Sequence, residues 1–435
     1  MHPEAPSSHM PPPGGLPPVK PPSGKFIAQL FLVPLLIVVG ILGLFLVLRG
    51  LIGIGGPHTA QQFLDNLDQT NSDVRWRAAE DLAQVLPRDD KLASDPKFAL
   101  NLAERLRQTL KDCLTNEDRV AELKVKQSST PSDDEQKAFN KAVKDLEASR
   151  EYAHYLAASL GGFTVPVGMR LLKEMALDES GKDVQAAARR RRQAVWSLAN
   201  LGMNLNRFDK LTPAEKESAL LTLQEEASAS GERGKWAKSA LEWLDDRRAG
   251  KPRGLGDSFL TLADADDPGL REMTAHALNF WSGGPEENRR IEETLSRLSY
   301  DTGKGEDTRE QMETPKDGRR TVTRKPGAEI RYNATVALAR RGSDRIRLGL
   351  LEEMLDEPSL QETFRVIQGD GRETPDDATV WLTLTSALSA VAELHRQNPQ
   401  FDLSPLLPKI NALAEHANSR LRTEAQTTQS ALTSN

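Results

Sequence analysis

An uncharged run of 23 residues, at positions 26–48, constrains this chain more than any other feature of its sequence. A helix rises about 1.5 Å per residue, so this run is long enough to cross the roughly 30 Å hydrocarbon core of a bilayer. The run exceeds the roughly 7–15 apolar residues of a signal peptide, and no clear small-residue cleavage site follows it. We therefore expect residues 26–48 to be a retained transmembrane helix rather than a cleaved signal or a buried helix of a soluble fold.

Basic residues near this run indicate its orientation in the membrane. Lys20 and Lys25 precede the run, whereas only Arg49 follows it closely. Because basic residues are preferentially retained on the cytoplasmic side, the asymmetry favours a cytoplasmic N-terminus and an exported C-terminal domain. We therefore expect a single-pass membrane protein.

The segments on either side of the run have unusual compositions. Residues 1–25 contain nine prolines, a density that excludes regular helix or strand and predicts polyproline II or disorder. Residues 49–57 contain four glycines and form the predicted juxtamembrane linker.

From residue 58 onward, apolar residues recur at helical spacing. Val74, Ala78 and Leu82 follow one another at intervals of four, which places them on one face of a helix. Seven later segments carry a small or apolar residue at the equivalent position, with a base period near 40 residues. The eight aligned positions are Ala78, Ala153, Ala194, Ala237, Thr274, Ala334, Leu384 and Ala425. Such a period predicts two helices per unit, because neither helix alone can bury its apolar face.

Three of these segments resemble the second helices of HEAT repeats. They read SDVRWRAAEDLAQVL, DPGLREMTAHALNF and AEIRYNATVALARRG. The resemblance extends loosely over residues 58–432 and implies an all-α fold, an α-solenoid of about eight degenerate HEAT-like helix pairs preceded by one transmembrane helix. HEAT proteins are mostly scaffolds and adaptors, so the resemblance also implies a role in binding other proteins.

An arginine follows the first apolar residue in four of the repeats. The four are Arg75, Arg271, Arg331 and Arg422. Such a recurring side chain can form a hydrogen bond or salt bridge between repeats, or it can belong to a ladder that binds a ligand. The sequence leaves both interpretations open.

Polar insertions interrupt the repeat pattern near residues 117–135, 300–327 and 356–377. The first leads into a long charged helix predicted from about Asp133 to Leu160, and the third contains a short apolar patch at 364–367. Insertions in a solenoid can be solvated linkers or can carry recognition, because they fall on one side of the stack.

Composition and motifs argue against several classes of function. The formal net charge of −6 disfavours non-specific nucleic-acid binding. Cys113 is the only cysteine, which excludes an intramolecular disulfide and cysteine-based metal sites. The seven histidines form no HExxH pair, and the sequence has no GxxxxGK[ST], GxGxxG or GxSxG motif. We therefore predict no catalytic, cofactor-binding or metal-binding residues.

Candidate partner-binding residues come from charge and aromatic content. Arg189, Arg190, Arg191 and Arg192 form the densest basic run, whose side chains would point around most of a helix. They either bind an acidic partner or lie in a solvated segment. Trp236 and Trp243 lie seven residues apart on similar faces and either anchor an interface or pack in the core. Any tryptophan exposed on the inner face of the stack would also be a candidate.

The predicted function is that of a membrane-anchored scaffold or adaptor, whose solenoid binds a protein partner without catalysis. Two alternatives remain open at this stage. One is a structural subunit of a membrane complex. The other is an enzyme of HEAT-like fold, such as a lyase or a DNA glycosylase.

Overall fold

Helical spacing of apolar residues produces helices almost throughout the described chain. The computed structural model describes residues 59–126, 131–304, 321–368 and 371–433. The predicted proline-rich tail (1–25), transmembrane helix (26–48) and linker (49–57) lie outside these ranges. None of the helices within the described ranges has the length and apolarity needed to cross a bilayer. Ala60–Asn435 forms one compact unit.

In chain order the helices are α1 (Ala60–Leu67), α2 (Ser72–Val85), α3 (Asp90–Ala93), α4 (Pro96–Lys126), α5 (Asp133–Gly161), α6 (Met169–Leu177), α7 (Val184–Phe208), α8 (Pro213–Ala227), α9 (Glu232–Arg248), α10 (Asp257–Leu260), α11 (Pro268–Leu278), α12 (Pro285–Leu298), α13 (Ala328–Arg340), α14 (Leu348–Met354), α15 (Glu357–Thr363), α16 (Asp377–Gln397), α17 (Leu407–Ala414) and α18 (Ser419–Thr433). The strands are β1 (Thr321–Arg324), β2 (Phe364–Ile367) and β3 (Glu373–Pro375). The chain is therefore helical with one small sheet. The long helix predicted from about Asp133 to Leu160 is confirmed as α5.

Side-chain caps set where several helices begin. Ser132 and Glu135 form a reciprocal capping box at the start of α5, which satisfies amides that have no partner within the helix. Asn71 caps α2 by accepting a hydrogen bond from the Asp73 amide. Asp73 is not the cap, because the helix begins at Ser72 and Asp73 lies in its first turn.

Seven helices pack in sequence as a continuous inner row within the described chain: α2, α5, α7, α11, α13, α16 and α18. Each of these helices packs against the helical segment that precedes it. The preceding segments are, in order, α1, α4, α6, α10 with the adjoining 3-10 turn, α12, α14 with α15, and α17. The eight aligned repeat positions all lie in helices and are all buried. The prediction of packed helix pairs is thus confirmed, and the arrangement is consistent with an α-solenoid.

The helix that carries Ala237 was placed wrongly in the predicted row. Ala237 lies in α9, which packs on α8, and this pair contacts α4 rather than extending the inner row. The row passes directly from α7 to α11. Helix α7 also closely approaches the turn after α11 at Gly202, where an added Cβ would lie 2.7 Å from the Trp281 Nε1 atom.

The first predicted insertion is shorter than expected. Helix α4 continues to Lys126, and α5 begins at Asp133, so most of 117–135 is helical. The extra turns of α4 are held by packing on α5. Cys113 is fully buried, and the Asn116 side chain donates to Ser149 Oγ at 3.1 Å. Polar residues therefore do not mark a connector here.

The other two predicted insertions meet in one antiparallel sheet, with strand order β1-β2-β3. Arg324 at the end of the 300–327 insertion pairs with Phe364 in the 356–377 insertion. Phe364 is buried and contacts the Tyr332 ring at a centroid distance of 6.1 Å. The apolar patch at 364–367 is therefore a strand that anchors the sheet on α13.

Three of the four recurring arginines hold the turn before their own helix. Arg271 donates to the Ala265 carbonyl at 2.7 Å, Arg331 donates to the Pro326 carbonyl at 3.1 Å, and Arg422 donates to the His416 carbonyl at 2.7 Å. Arg75 instead places its guanidinium over the Tyr152 ring, 5.3 Å from the centroid. These contacts give the recurring arginine a structural role within the stack.

Candidate functional site

The predicted basic run lies in the first half of α7. Asp183 begins this helix by accepting a hydrogen bond from the Ala186 amide. Because successive residues of a helix are separated by about 100°, Arg189 to Arg192 point in four directions. The run therefore contributes to several surfaces, as expected, and does not form one basic stripe.

Arg190 belongs to a buried ionic cluster between α4, α5 and α7. Its Nη1 donates to Glu117 Oε1 at 2.7 Å, and its Nη2 donates to the Ser180 carbonyl at 2.6 Å. Arg150 binds the same Glu117 oxygen at 3.2 Å and Asp183 at 2.8 Å. The Glu117 side chain is only 3% exposed. This cluster joins three helices and presents little surface to a partner.

Arg191 and Arg192 are also held by contacts within the chain. Arg191 donates through Nε to the Ala176 carbonyl at 3.0 Å, and its Nη1 lies 3.0 Å from Glu179 Oε1. Arg192 forms an ion pair with Asp267 at 3.0 Å, which connects α7 to the residue that caps α11. Arg189 is the exposed member of the run.

A surface groove lies between α5, α7, α11 and β1, with a volume of about 410 Å³. We call it the Trp196 groove. It is lined by His154, Arg189, Arg192, Gln193, Trp196, Gly269, Glu272, Met273 and Arg324. Trp196 is 41% exposed, although it lies in the middle of an otherwise well-packed helix. The groove thus combines an exposed indole with three guanidinium groups.

Carboxylates behind the groove fix two of its arginines. Asp267 holds Arg192, and Glu329 holds Arg324 in a short ion pair. Glu272 is buried at 7% exposure in the wall of the groove. The acidic groups therefore lie deep, and the exposed residues of the lining are His154, Arg189 and Trp196. The exposed surface of the groove is cationic and aromatic.

A second, larger depression of about 700 Å³ lies at another side of α7. Its polar lining includes Glu179, Asp264, Asp266 and Asp267 together with Arg191, and its apolar lining includes Val184 and Leu262. We call it the acidic cleft. Helix α7 therefore lies between the Trp196 groove and the acidic cleft.

The two tryptophans predicted to bind a partner do not face solvent. Trp236 is 1% exposed and Trp243 is 5% exposed. Trp243 donates its indole N–H to the Arg253 carbonyl at 2.8 Å and packs edge-on against Trp281 at 6.1 Å. These side chains fill the core beside α9, so the structure agrees with core packing, the second of the two interpretations, and contradicts their candidacy as interface anchors. Burial of large aromatic area accounts for their presence.

Trp196 is the residue that this part of the prediction did not single out. Arg189, Arg192 and Trp196 are spaced i, i+3 and i+7, which places them on one helical face. That shared face was a usable signal. In the described ranges, no group of three or more His, Cys, Asp or Glu side chains could hold a metal ion.

Comparisons with known proteins provide little further information. No family model matches the chain, and no curated protein matches it. Among solved structures, the chain resembles a crystal structure of an engineered protein, with 14% identity over 86% of this chain and 99% of that chain. The TM-score of this match is 0.26, which is too low to assign the chain to a family.

Proposed function

We propose that this chain is a single-pass membrane-anchored scaffold, whose HEAT-like α-solenoid binds a protein partner in the Trp196 groove. In this role residues 26–48 hold the protein in the bilayer, and the helical unit offers a preformed surface. No chemical step is involved. If the partner is held at the same membrane, tethering would raise the effective concentration of each protein for the other.

The observation that carries the proposal is the exposure of Trp196 beside Arg189. Tryptophan and arginine are the residue types most enriched among interface hot spots, because they bury large areas and form several directed contacts. Leaving a tryptophan 41% exposed on a packed helix forgoes hydrophobic stabilisation that a partner would supply. A smaller side chain would serve a purely structural surface equally well.

The anchor part of the proposal is supported by the sequence. The run at 26–48 has no charge, and Lys25 and Arg49 flank it. The excess of Lys20 and Lys25 before the run favours export of the helical unit. The partner would then be a protein exposed on that side of the membrane.

The test is a comparison of membranes that contain the full chain or its variants. We expect a partner to co-purify from detergent extracts with the wild-type chain and to be reduced at least tenfold with Trp196→Ala. Leu221→Ala is the matched control, because Leu221 is an exposed apolar residue of α8, outside the groove. Equal recovery with all three chains would contradict the proposed site.

The anchor is tested separately by fractionation. Deleting residues 26–48 should move the chain from the membrane pellet to the supernatant, and alkaline carbonate should not extract the wild-type chain. Release of the wild-type chain by carbonate would contradict membrane insertion. Neither result depends on the groove.

A further inference from the structure

We propose that the Trp196 groove recognises a short acidic segment of the partner, in which an apolar side chain is flanked by carboxylates. This inference rests on the proposed function and specifies the chemistry of the partner. The apolar side chain would pack on the indole and Met273, and the carboxylates would bind Arg189 and Arg324. The placement of charge, the size of the groove and the surroundings of α7 support this inference.

The placement of charge favours an anionic ligand. Arg189, Arg192 and Arg324 come from α7 and β1 and surround the exposed indole. Asp267 and Glu329 hold two of these guanidinium groups from behind, so little side-chain entropy remains to be lost on binding. A guanidinium has five N–H donors and can bind a second carboxylate while keeping its first. Arg192 and Arg324 are therefore arranged in advance for an anionic ligand, beside the exposed Arg189.

The size of the groove limits what it can hold. A volume of about 410 Å³ falls in the range of roughly 300–1,000 Å³ that is typical of small-ligand pockets. Such a space holds a few side chains, not a folded domain. The apolar side chains of the lining are Trp196 and Met273, and Gly269 lies in the first turn of α11. One apolar side chain flanked by charged neighbours fits this layout.

The surroundings of α7 exclude a long polyanion. Helix α7 has the acidic cleft on another side, where Asp266 lies beside the ion pairs Glu179–Arg191 and Asp264–Arg297. The formal net charge of the chain is −6. A nucleic acid that extended beyond the groove would meet a chain of net negative charge, whereas a short peptide would contact only the groove. The surroundings therefore select a short acidic segment.

The test uses fluorescein-labelled peptides and the full chain in detergent micelles, measured by fluorescence anisotropy. The acidic probe is GSDEFDESG, and the basic probe replaces each Asp and Glu by Lys. We expect the acidic probe to bind at least tenfold more tightly than the basic probe at low salt. Its affinity should fall at least tenfold with Arg189→Glu and with Trp196→Ala.

Matched controls distinguish the groove from general charge effects. Arg396→Glu changes an exposed arginine of α16, and Leu221→Ala changes an exposed apolar residue of α8. Both should leave binding of the acidic probe within twofold of wild type. The double variant Arg189→Glu/Arg324→Glu should prefer the basic probe, a gain that misfolding could not produce.

The outcomes separate this inference from the proposed function. Equal binding of the two probes, or loss of binding in the control variants to the same extent, overturns the acidic segment. A probe with phosphoserine at the acidic positions that binds tenfold more tightly overturns the assignment to carboxylates. If a partner still co-purifies in a Trp196-dependent manner, the scaffold function stands while this inference fails.

Discussion

Glu117 accepts a 2.7 Å hydrogen bond from Arg190, and this contact joins α4 to α7 across 73 residues of sequence. The carboxylate is nearly inaccessible to solvent and also binds Arg150. Such a pair is costly to break, because one partner is left charged and buried.

We predict that Glu117→Gln destabilises the helical unit by about 3–5 kcal/mol, the usual cost of removing one member of a buried ion pair. The measurement is chemical unfolding of the full chain in micelles, followed by circular dichroism. Glu286→Gln is the control, since Glu286 lies at the surface of α12. A loss of less than about 1 kcal/mol would show that water replaces the carboxylate.

The close contact between Gly202 of α7 and Trp281, which follows α11, leads to a second prediction. Gly202→Val should cost about 1–3 kcal/mol or more, because its side chain would collide with the Trp281 indole and separate the helices. Gly349→Ala is the matched control. Nothing lies within 4 Å of an added Cβ there, so we expect a gain of up to about 1 kcal/mol from helix propensity. Equal effects of the two substitutions on the melting temperature would contradict this packing.

Burial makes Cys113 unreactive in the folded chain. Burial raises the pKa of the Cys113 thiol to about 11, so the thiolate population at pH 8 is on the order of 0.1%. We predict that a thiol reagent such as DTNB labels the chain only after unfolding in guanidinium chloride. Labelling of the native chain within minutes would show that the segment around Cys113 opens readily.

A pH effect is expected at His276. Partial burial, followed by the charge of Arg340, lowers the pKa of His276 below its ordinary value of 6.5. The unfolded chain therefore binds a proton more readily than the folded one, and the free energy of unfolding should decrease as pH falls below about 6.5. The contribution is fully present above that pH and is lost as pH falls towards the lower pKa of the folded state.

The measurement is thermal unfolding between pH 8 and pH 5 for the wild type and His276→Phe. Phenylalanine keeps an aromatic ring near Phe280, whose centroid is 5.3 Å from the imidazole, but it does not titrate. The wild-type melting temperature should fall more steeply with decreasing pH. Parallel curves would assign the pH dependence to other groups.

Local patterns predicted the repeat core well. Ala78, Ala194 and Ala425 were identified from their spacing, and each is buried. Periodicity reports which face of a helix is apolar, and that information is contained in a short window of sequence. It does not report which helices become neighbours. The segment around Ala237 shows this limit, since its pattern fits the repeat although α9 lies outside the row.

Contacts between distant segments were beyond such reasoning. The sheet joins two segments that each looked polar, and the pairing of Arg324 with Phe364 has no local signal. The Trp196 groove likewise combines side chains from His154 to Arg324. The sequence left Trp236 open between the core and an interface, and Trp196 was not singled out although it shares a helical face with Arg189 and Arg192.

Pairing of β1 with β2 has a consequence for how the molecule comes apart. A linear stack in which each unit contacts only its neighbours can fray from an end, one unit at a time. The ladder between Thr321–Arg324 and Phe364–Ile367 closes α13, α14 and α15 into a loop. We therefore expect that stretch to unfold as a single cooperative block. Unfolding that begins in the C-terminal units would then stop at this block before it reached the rest of the stack.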